Sequence, residues 1–535
     1  MMHRRLLSVA ILFALGFLIL IGSCGRNPST LPAMLTYHND NLRTGQNLIE
    51  TVLTPQNVNS ASFGKRFSYG VDGAIYAQPL YVENLHMNHW GARNVIYVVT
   101  EHDSVYAFDA NEKAPGTLWH VSLLGSGSHA TSVPCADEPS ACNFFGAEIG
   151  ITSTPVIDIH TATLYVCAFT KESATYTYRL HALDLATGSE KFAGPVVIQG
   201  IVPGKGDGGD STKIPFTPYG HLQRSALLLS NGVVYIAFAS FADNPPYHGW
   251  LFGYDAHTLQ QQSVLNMTPD GAQGGIWQSG NGPAADSTGD VYLVTGNGTF
   301  NADVGGHDFG DSFVRIKPGN GSLSVVDFFS PFNQATLLAE DEDLGAGGPL
   351  LLPDQAGAHP HLMLTGGKEG TLYLVDRDNM GHFRSGDNSQ IIQSLVNVVG
   401  PIFCTPAFWE NKVYISGLHD ALKVFNVSDG VLSTTPASQS ANTFGFPGAT
   451  PTISANGAQD GIVWLLENAA FRKGLPAVLH AYDATDVSHE LYNSQQVGSR
   501  DGLPNGVGFA VPTIANGTVY VGTLSELAAF GLLSN

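Results

Sequence analysis

Two aspartates separated by one residue stand out in the run Asp341-Glu342-Asp343. Carboxylates can accept a proton during a reaction, and they also bind hard cations such as Ca²⁺. A lysine follows at Lys368, next to Glu369. The acidic run could instead cap a surface turn, and Lys368 could simply pair with Glu369, so these residue types alone leave both interpretations open.

Trp277 and Asn297 are two further side chains that could contact a ligand. Trp277 follows Gly274-Gly275-Ile276, and Asn297 lies between two glycines. An indole offers a flat apolar face, and an amide oxygen is a ligand for a hard cation. The structural alternatives are a tryptophan wedged between neighbouring sheets and an asparagine in a left-handed turn.

Several other functional classes find no support in the sequence. It contains no Gly-x-Ser-x-Gly motif of the serine hydrolases, and no Cys-x-x-Cys pair or Cys/His spacing typical of zinc sites. The formal net charge is −21, with 24 Lys and Arg against 45 Asp and Glu. This balance argues against nucleic-acid binding through a basic surface.

A repeated unit of four short strands could position the candidate residues. Its template spans residues 152–192 and contains a proline, a buried strand over 164–169, a third strand ending at Asp184 and the turn Thr187-Gly188. The proline that begins each unit recurs, with Leu227 in the same place in one unit. The prolines are Pro79, Pro155, Pro283, Pro349, Pro406, Pro451 and Pro512.

Eight such units predict one all-β domain, an eight-bladed β-propeller of four-stranded antiparallel blades. The 61 glycines, 29 prolines and 13% charged residues fit a turn-rich globular protein. The last unit ends after Phe530 with no room for a fourth strand. We therefore predict that residues 64–70 supply the outer strand of the last blade and close the ring.

The N-terminus has the features of an export signal. Arg4 and Arg5 precede an apolar run over residues 6–21, which is followed by small residues and Cys24. The segment 21–24 resembles the lipobox of bacterial lipoproteins, in which the cysteine is lipidated. The prediction is a signal peptide over 1–23, a tether over 24–35 and one domain over 36–535, anchored by lipid on Cys24 at the cell envelope. An ordinary signal peptide or an uncleaved anchor are the alternatives.

The other four cysteines divide into two kinds. Cys135 and Cys142 lie in a polar loop that contains proline, and outside the cytosol a local disulfide between them is the expected state. Cys167 falls within a buried-looking strand and Cys404 lies beside the start of a unit. Both are predicted to be core thiols.

The turn of the template unit resembles a known repeat. Ala182-x-Asp184-x-x-Thr187-Gly188-x-x-x-Phe192 is similar to the repeat of the pyrroloquinoline-quinone (PQQ) type propellers, which usually have tryptophan in place of Phe192. These propellers include the eight-bladed quinoprotein alcohol dehydrogenases and also non-enzymatic members, such as an outer-membrane lipoprotein that scaffolds barrel insertion. The resemblance therefore implies a fold more strongly than an activity.

Three segments resemble the dehydrogenases in particular. The glycine-rich segment ending at Trp277 and the Thr-Gly-Asn segment ending at Asn297 are similar to those in which an indole stacks under the quinone and an asparagine ligates Ca²⁺. Lys368 lies in a segment similar to the one whose first basic residue hydrogen-bonds the cofactor in the dehydrogenases. Asp341 lies roughly where the family has its catalytic aspartate. The resemblance implies these roles for the four residues, with PQQ and calcium as cofactors.

Three features depart from the dehydrogenase pattern. The dehydrogenases carry a disulfide between adjacent cysteines over the quinone, and this chain has no adjacent pair. Their glutamate ligand of Ca²⁺ should fall near residues 240–243, where only Asp243 could replace it. No Cys-x-x-Cys-His haem motif is present, so electrons would need an external acceptor.

Two hypotheses follow for the function. The first, which the departures favour, is a propeller anchored through lipid that binds or scaffolds a protein or glycan partner at the cell envelope. The alternative is a PQQ- and calcium-dependent dehydrogenase that oxidises an alcohol or a sugar. The alternative requires Trp277, Asn297, Lys368 and Asp341 to converge near the central axis, whereas a scaffold does not.

Overall fold

Each predicted unit forms one antiparallel sheet, and the eight sheets are the blades of a propeller. The computed structural model describes residues 33–114, 116–125, 129–138, 140, 142–469 and 471–534, and every structural statement below refers to these residues. The blades are numbered in chain order, with the inner strand of each named first. The predicted fold class is confirmed.

The strands of the first four blades follow the predicted units. They are Leu80–Met87, Gly91–Val99, Ser104–Asp109 and Thr117–Ser122 in blade 1; Val156–Asp158, Thr163–Glu172, Thr175–Asp184 and Val196–Val197 in blade 2; Leu228–Ser230, Val233–Ser240, Trp250–Asp255 and Gln261–Asn266 in blade 3; and Ala284–Ala285, Val291–Val294, Phe313–Gly319 and Ser322–Ser330 in blade 4.

The last four blades repeat the pattern. They contain Leu350–Leu351, Leu362–Gly366, Leu372–Asp376 and Gln393–Leu395 in blade 5; Ala407–Trp409, Lys412–Ser416, Asp420–Ser428 and Ser438–Phe444 in blade 6; Thr452–Asn456, Gln459–Glu467, Val478–Asp483 and Glu490–Asn493 in blade 7; and Thr513–Ala515, Thr518–Gly522, Glu526–Leu532 and Phe63–Gly70 in blade 8.

Insertions between these strands carry the remaining elements. The additional strands are Ala33–Met34, Gln46–Asn47, Ala130–Pro134, Glu148–Ile149, Ile201–Pro203, Lys213–Pro215, His221–Leu222, His382–Phe383 and Val431–Leu432. One α-helix, Gln334–Glu340, lies among the described residues between blades 4 and 5. The 3₁₀ turns are Cys135–Asp137, Cys142–Phe144, Gln278–Gly280, Ala302–Val304, Leu344–Ala346, Phe471–Lys473 and Gly498–Arg500.

A tyrosine in the second strand ties four of the blades to the next one. The hydroxyls donate to backbone carbonyls: Tyr97 to Leu185 at 2.8 Å, Tyr165 to Ala256 at 2.6 Å, Tyr414 to Ala484 at 2.8 Å and Tyr520 to Ala110 at 2.8 Å. Each acceptor directly follows an aspartate at the end of a third strand. The repeated tyrosine and aspartate therefore mark the interface between blades, where a buried hydroxyl needs a partner.

The ring is closed by the N-terminal strand, as predicted. Phe63–Gly70 pairs antiparallel with Glu526–Leu532 and forms the outer strand of blade 8. Lys65 Nζ lies 2.5 Å from Glu526 Oε1, and the Lys65 amide donates to Asp501. The predicted strand over 64–70 begins one residue earlier, at Phe63.

Residues 33–50, here called the central segment, contact the inner strands of the blades in chain order. Ala33–Met34 pairs with blade 1, and Gln46–Asn47 runs parallel to the inner strand of blade 7. Between them, carbonyls of the segment accept amides of blades 2, 4, 5, 6 and 7. The pairs are Leu35 with Ile157, Asn41 with Ala285, Leu42 with Leu351, Thr44 with Phe408 and Gly45 with Ile453.

The central segment ends at blade 8, where Asn47 Nδ2 donates to Ile514 and Glu50 Oε2 accepts the Gly517 amide. The amides that the inner strands of blades 2, 4, 5, 6 and 7 donate to its carbonyls come from the second residue after the first residue of a unit, such as Ile157 after Pro155. In blade 3 the contact is a side-chain bond, from Asn41 Nδ2 to the Leu229 carbonyl. The central segment therefore contacts the inner strand of every blade, through backbone pairing in six blades and through side chains in blades 3 and 8.

Arg43 is the buried cation of the central segment. Its guanidinium donates to Thr36 Oγ1 at 2.7 Å, to the Tyr37 carbonyl at 2.8 Å and to the Pro283 carbonyl at 2.8 Å, with a longer bond to Leu227. Burial lowers the pKa of Arg43 to about 10. Neutral carbonyls from blades 3 and 4 thus solvate a charge that water does not reach.

The first described residues already belong to the propeller. The described chain from Ala33 onward forms one compact unit, so the domain begins slightly before the predicted boundary at residue 36. The predicted signal peptide over 1–23, Cys24 and residues 24–32 of the predicted tether lie outside the described residues. None of the described helices has the length and apolar character needed to cross a bilayer.

Two buried acids lie in the turn between the second and third strands of blade 1. Glu101 accepts the Gly150 amide and the Thr152 hydroxyl through Oε2, but its Oε1 has no described hydrogen-bond partner. Both carboxylate oxygens of Asp103 also lack one. Burial raises the pKa of Glu101 to about 7 and the pKa of Asp103 well above its ordinary value.

We expect Glu101→Gln to stabilise the protein at high pH and not at low pH. The pKa of Glu101 rises from 4.5 to about 7 on folding. The preference of the folded state for the protonated carboxyl therefore stabilises the protein fully below pH 4.5, and this stabilisation is lost as pH rises through 7. The difference in free energy of unfolding between variant and wild type should grow by on the order of 3 kcal/mol across that window. Urea unfolding at several pH values measures it. The exposed Glu112→Gln is the control, and a difference independent of pH contradicts the expectation.

Candidate functional site

A cavity of about 320 Å³ lies at one end of the ring. Loops before inner strands and loops after second strands line it, because in an antiparallel hairpin these two points share one end. One side, here called the polar half, comes from blades 3 to 5. It contains Arg224, Asp243, Trp277, Asp341, Asp343 and Lys368.

The helix Gln334–Glu340 sets the position of the two aspartates between blades 4 and 5. It ends at Asp341, which adopts a left-handed conformation with φ of 58°. The Asp341 side chain is 70% exposed, whereas that of Asp343 is only 5% exposed. With Asp243 from blade 3 they form a group whose carboxylate oxygens lie within 4.8 Å of one another.

Asn297 holds both aspartates in place. The backbone N–H of Asn297 donates to Asp343 Oδ1 at 2.7 Å, and its side-chain Nδ2 donates to Asp341 Oδ1 at 2.9 Å. Its own Oδ1 is buried and has no described partner. Since Nδ2 is fixed by Asp341, the free oxygen remains as an acceptor beside the carboxylates.

Lys368 is the cation of this group. Its Nζ lies 2.8 Å from Asp341 Oδ1 and 2.6 Å from Asp343 Oδ2. Burial alone would lower the pKa of Lys368, but the charges of Asp343 and Asp341 raise it. Burial raises the pKa of Asp343 despite this pairing, and it raises the pKa of Asp243 to about 6, with Asp343 adding to the effect.

The donor set fits a hard cation. Three carboxylates and the free Asn297 oxygen provide oxygen ligands only, as Ca²⁺ and trivalent lanthanide ions require. One lysine offsets only part of the three negative charges, so a bound cation would complete the neutralisation. The orphaned Asn297 oxygen is the observation that distinguishes this group from an ordinary acidic cluster.

Gly296 allows the polar half to pack closely. A Cβ atom at this position would lie 2.4 Å from Asp343 Oδ1 and 3.2 Å from Trp277 Cδ1. Trp277 is half-buried, and its Nε1 has no described hydrogen-bond partner. The indole therefore lies next to the acidic group, and it lines the cavity.

We expect Gly296→Ala to weaken cation binding by about tenfold or more, because the added methyl must displace the Asp343 carboxylate. Terbium luminescence sensitised by tryptophan measures this affinity. Gly70→Ala is the matched control, since no atom lies within 4 Å of the methyl it adds. Equal terbium affinity for Gly296→Ala and the wild type would show that this packing does not set the geometry of the carboxylates.

Arg224 is a buried cation without an anionic partner. It is 7% exposed and lines the cavity, and its guanidinium lies 4.3 Å from the Phe509 ring centroid and 5.8 Å from that of Tyr76. No described residue forms a hydrogen bond or ion pair with it. Burial lowers the pKa of Arg224, and the nearby Tyr76 and Glu101 oppose the shift. A buried guanidinium without a hydrogen-bonded or anionic partner favours the binding of an anionic ligand beside it.

The other side of the cavity, here called the phenylalanine half, consists of Phe144, Phe403, Phe446, Phe509 and Arg472. Phe446 contacts both Phe403, at 5.2 Å between centroids, and Phe509, at 5.9 Å. Phe144 follows the Cys135–Cys142 disulfide, which the structure forms at the predicted pair. The Tyr76 hydroxyl donates to the Phe144 carbonyl at 2.6 Å and fixes this loop over the cavity.

The structure brings the sequence-predicted residues together. Asp243, Trp277, Asp341 and Lys368 line one cavity, and Asn297 bonds to Asp341 at its edge. Cys167 and Cys404 are buried free thiols.

Sequence reasoning missed Arg224 and the phenylalanine half. A signal existed, because Ala346, Phe403 and Phe509 each lie three residues before the proline that begins a unit, and Arg224 lies three before Leu227. That position points into the cavity in four blades.

Neither a protein-family model nor a curated protein matches the sequence. Similar solved structures include the quinohemoprotein alcohol dehydrogenase ADHIIG from Pseudomonas putida HK5, with 14% identity and a TM-score of 0.59 over 94% of this chain and 81% of that one. Another is a europium-containing methanol dehydrogenase, with 12% identity and a TM-score of 0.59 over 94% and 98%. At such low sequence identity, the similarity shows a shared fold and does not extend to function. The chain therefore shares its eight-bladed β-propeller fold with these two dehydrogenase structures.

Proposed function

We propose that the protein is a PQQ- and metal-dependent dehydrogenase that oxidises an alcohol or a sugar. The observation that carries the proposal is the convergence of Trp277, Asn297, Lys368 and Asp341 at one cavity, which the scaffold hypothesis does not require. The similar structures favour the same alternative at the level of the fold. The scaffold hypothesis gains no support from them.

The cavity suits a planar anion with several carboxylates, such as PQQ. The Trp277 indole provides a flat face, while Arg224 and Lys368 provide positive charge. Asp243, Asp343 and the free Asn297 oxygen would hold the metal beside it. Bound PQQ would supply the two-electron acceptor for the alcohol, and the metal would supply a Lewis acid.

Asp341 is the residue placed to accept the alcohol proton. Its Oδ1 already accepts hydrogen bonds from Asn297 Nδ2 and Lys368 Nζ, which leaves Oδ2 for the substrate. The Asp341 side chain is also far more exposed than that of Asp343, which the Asn297 backbone amide and Lys368 hold in place. The two aspartates therefore have different proposed roles: Asp343 would bind the metal, and Asp341 would act as the base.

The metal can be calcium, as the sequence resemblance implies, or a trivalent lanthanide. Three carboxylates meet in the acidic group, and a higher ionic charge is attracted more strongly to them. One similar structure is described as europium-containing. We propose that Eu³⁺ binds more tightly than Ca²⁺ at this group.

Calorimetric titration of PQQ, in the presence of Ca²⁺ or Eu³⁺, tests the proposal. The wild-type protein should bind PQQ stoichiometrically, and Trp277→Ala should lose this binding while its thermal midpoint stays unchanged. An absence of PQQ binding by folded wild-type protein with either metal would overturn the proposal. Turnover is then assayed with an artificial electron acceptor, since no haem motif is present.

We also propose that the chain is exported and anchored by lipid on Cys24. The PQQ-dependent oxidation would then take place at the cell envelope. Radiolabelled palmitate should label the wild-type chain in a bacterial host, and Cys24→Ala should abolish the label. An unlabelled wild-type chain would rule out the lipid anchor.

A further inference from the structure

The phenylalanine half holds a second cation that the proposed function does not use. The Arg472 guanidinium lies 4.3 Å from the Phe144 ring centroid and 4.4 Å from that of Phe446, and these two rings are inclined at 62° to each other. Phe471 lies further away, at 5.7 Å. No described residue forms a hydrogen bond or ion pair with Arg472, although the side chain lines the cavity.

This arrangement orients the guanidinium without consuming its hydrogen-bonding capacity. Contacts with aromatic faces fix the plane of an arginine by cation–π attraction and stacking. The N–H donors lie in that plane, and they match the two oxygens of a carboxylate in a bidentate pair. Arg472 is exposed and lines the cavity, so its N–H donors remain available to an anion there.

Arg472 lies across the ring from the residues assigned to the metal. It belongs to the loop between the second and third strands of blade 7, whereas Asp243 follows the second strand of blade 3. In a ring of eight blades, blade 7 stands opposite blade 3. Phe403 and Phe509, which precede blades 6 and 8, flank it on either side and make the wall around it apolar.

A general basic surface does not explain this cation. The chain carries 24 Lys and Arg against 45 Asp and Glu, so a positive site must act through local contacts and not through the overall field. A ligand that satisfies both ends of the cavity has a carboxylate at the Arg472 end and a hydroxyl at the Asp341 end. Its body between the two would contact phenylalanine rings.

We propose that Arg472, Phe144 and Phe446 form a subsite for the carboxylate of the substrate, and that the substrate is an alcohol with an aromatic or apolar body and a carboxylate group. The identity of the oxidised group rests on the proposed function, but binding of the carboxylate does not. The inference thus assigns a substrate class to the cavity and a recognition role to a residue outside the metal and cofactor side.

The test uses matched ligands and matched variants. 4-Methylbenzoate and 4-methylbenzyl alcohol differ in the carboxylate, and each is titrated calorimetrically into the protein without added cofactor. Arg472→Gln removes the guanidinium, and Lys473→Gln removes a charge from the same 3₁₀ turn without lining the cavity. Thermal midpoints establish that each variant is folded.

We expect 4-methylbenzoate to bind the wild type and Lys473→Gln alike, and to bind Arg472→Gln about tenfold or more weakly, as loss of a charge-assisted pair predicts. Binding of 4-methylbenzyl alcohol should not depend on Arg472. Equal affinity of wild type and Arg472→Gln for 4-methylbenzoate, or no binding to either, overturns the inference.

The PQQ titration separates this inference from the proposed function. Loss of PQQ binding in Arg472→Gln, with 4-methylbenzoate binding intact, would place Arg472 in the cofactor site and overturn the subsite. If PQQ fails to bind the wild type but 4-methylbenzoate binds through Arg472, the carboxylate subsite stands and the dehydrogenase proposal falls. In PQQ-loaded enzyme, Arg472→Gln should lower kcat/KM for 4-(hydroxymethyl)benzoate and leave that for 4-methylbenzyl alcohol unchanged.

Discussion

Replacing Asp341 with asparagine is expected to lower the turnover number by about 10²–10⁴-fold, because the variant lacks the base that accepts the alcohol proton. Asparagine keeps the side-chain oxygen that accepts hydrogen bonds from Asn297 and Lys368, so the polar half should retain its shape. PQQ affinity should therefore change little. The measurement is steady-state turnover with an artificial acceptor, beside a calorimetric titration of PQQ.

Glu342→Gln provides the control for this substitution. It removes a neighbouring carboxylate that does not line the cavity, and its turnover should match the wild type. Asp341→Asn with nearly full turnover would exclude Asp341 as the base. Loss of PQQ binding together with turnover would instead identify Asp341 as part of the cofactor or metal site.

Arg43→Met is expected to destabilise the fold by about 3–5 kcal/mol. Methionine fills part of the same volume, but it leaves the Pro283 and Tyr37 carbonyls and the Thr36 hydroxyl without their buried donor. Removing one partner from a buried charged network costs more than the network itself contributes. Urea-induced unfolding, followed by tryptophan fluorescence, measures the change.

The surface substitution Arg66→Met is the control for Arg43→Met, because Arg66 is exposed on the closing strand. It should change the free energy of unfolding by less than about 0.5 kcal/mol. A similarly small effect of Arg43→Met would mean that the central segment does not stabilise the ring. PQQ binding by the folded Arg43→Met variant should be retained, since Arg43 does not line the cavity.

The ring could be predicted from the sequence because recurring side chains mark its blades. The second-strand tyrosines and the aspartates that end the third strands recur, and in the structure they meet across blade interfaces, as Tyr97 does with the residue after Asp184. The closing strand over 64–70 could be predicted because the last unit had one strand too few. Packing of alternating apolar strands leaves a periodic trace of this kind.

The central segment left no such trace. Its contacts with blades 2, 4, 5, 6 and 7 use backbone carbonyls, which every residue type carries, so no side-chain pattern indicates them. The phenylalanine half was missed for a different reason. Phe403 and Phe509 share a fixed offset from the proline of their unit, but their residue type is that of core residues, and the offset gains its meaning only once the ring shows that this position faces a cavity.

The candidate metal and cofactor residues lay between these extremes. Asp341, Asn297 and Lys368 were recognisable by their motifs, but their proposed roles depended on whether blades 4 and 5 would bring them together. The hydrogen bonds of Asn297 to both Asp341 and Asp343 connect segments 44 and 46 residues apart. Such contacts depend on how blades 4 and 5 pack against each other, which no local pattern encodes.

The contacts that close the ring also bear on how fast the chain folds. Glu50 bonds to Gly517 across 467 residues, and Lys65 pairs with Glu526 across 461. Both contacts belong to blade 8, so the ring is complete only when residues 50 and 65 meet residues 517 and 526. Contacts of such long sequence separation make folding slow, and the closed ring therefore depends on segments from both sides of the domain and not on any single blade.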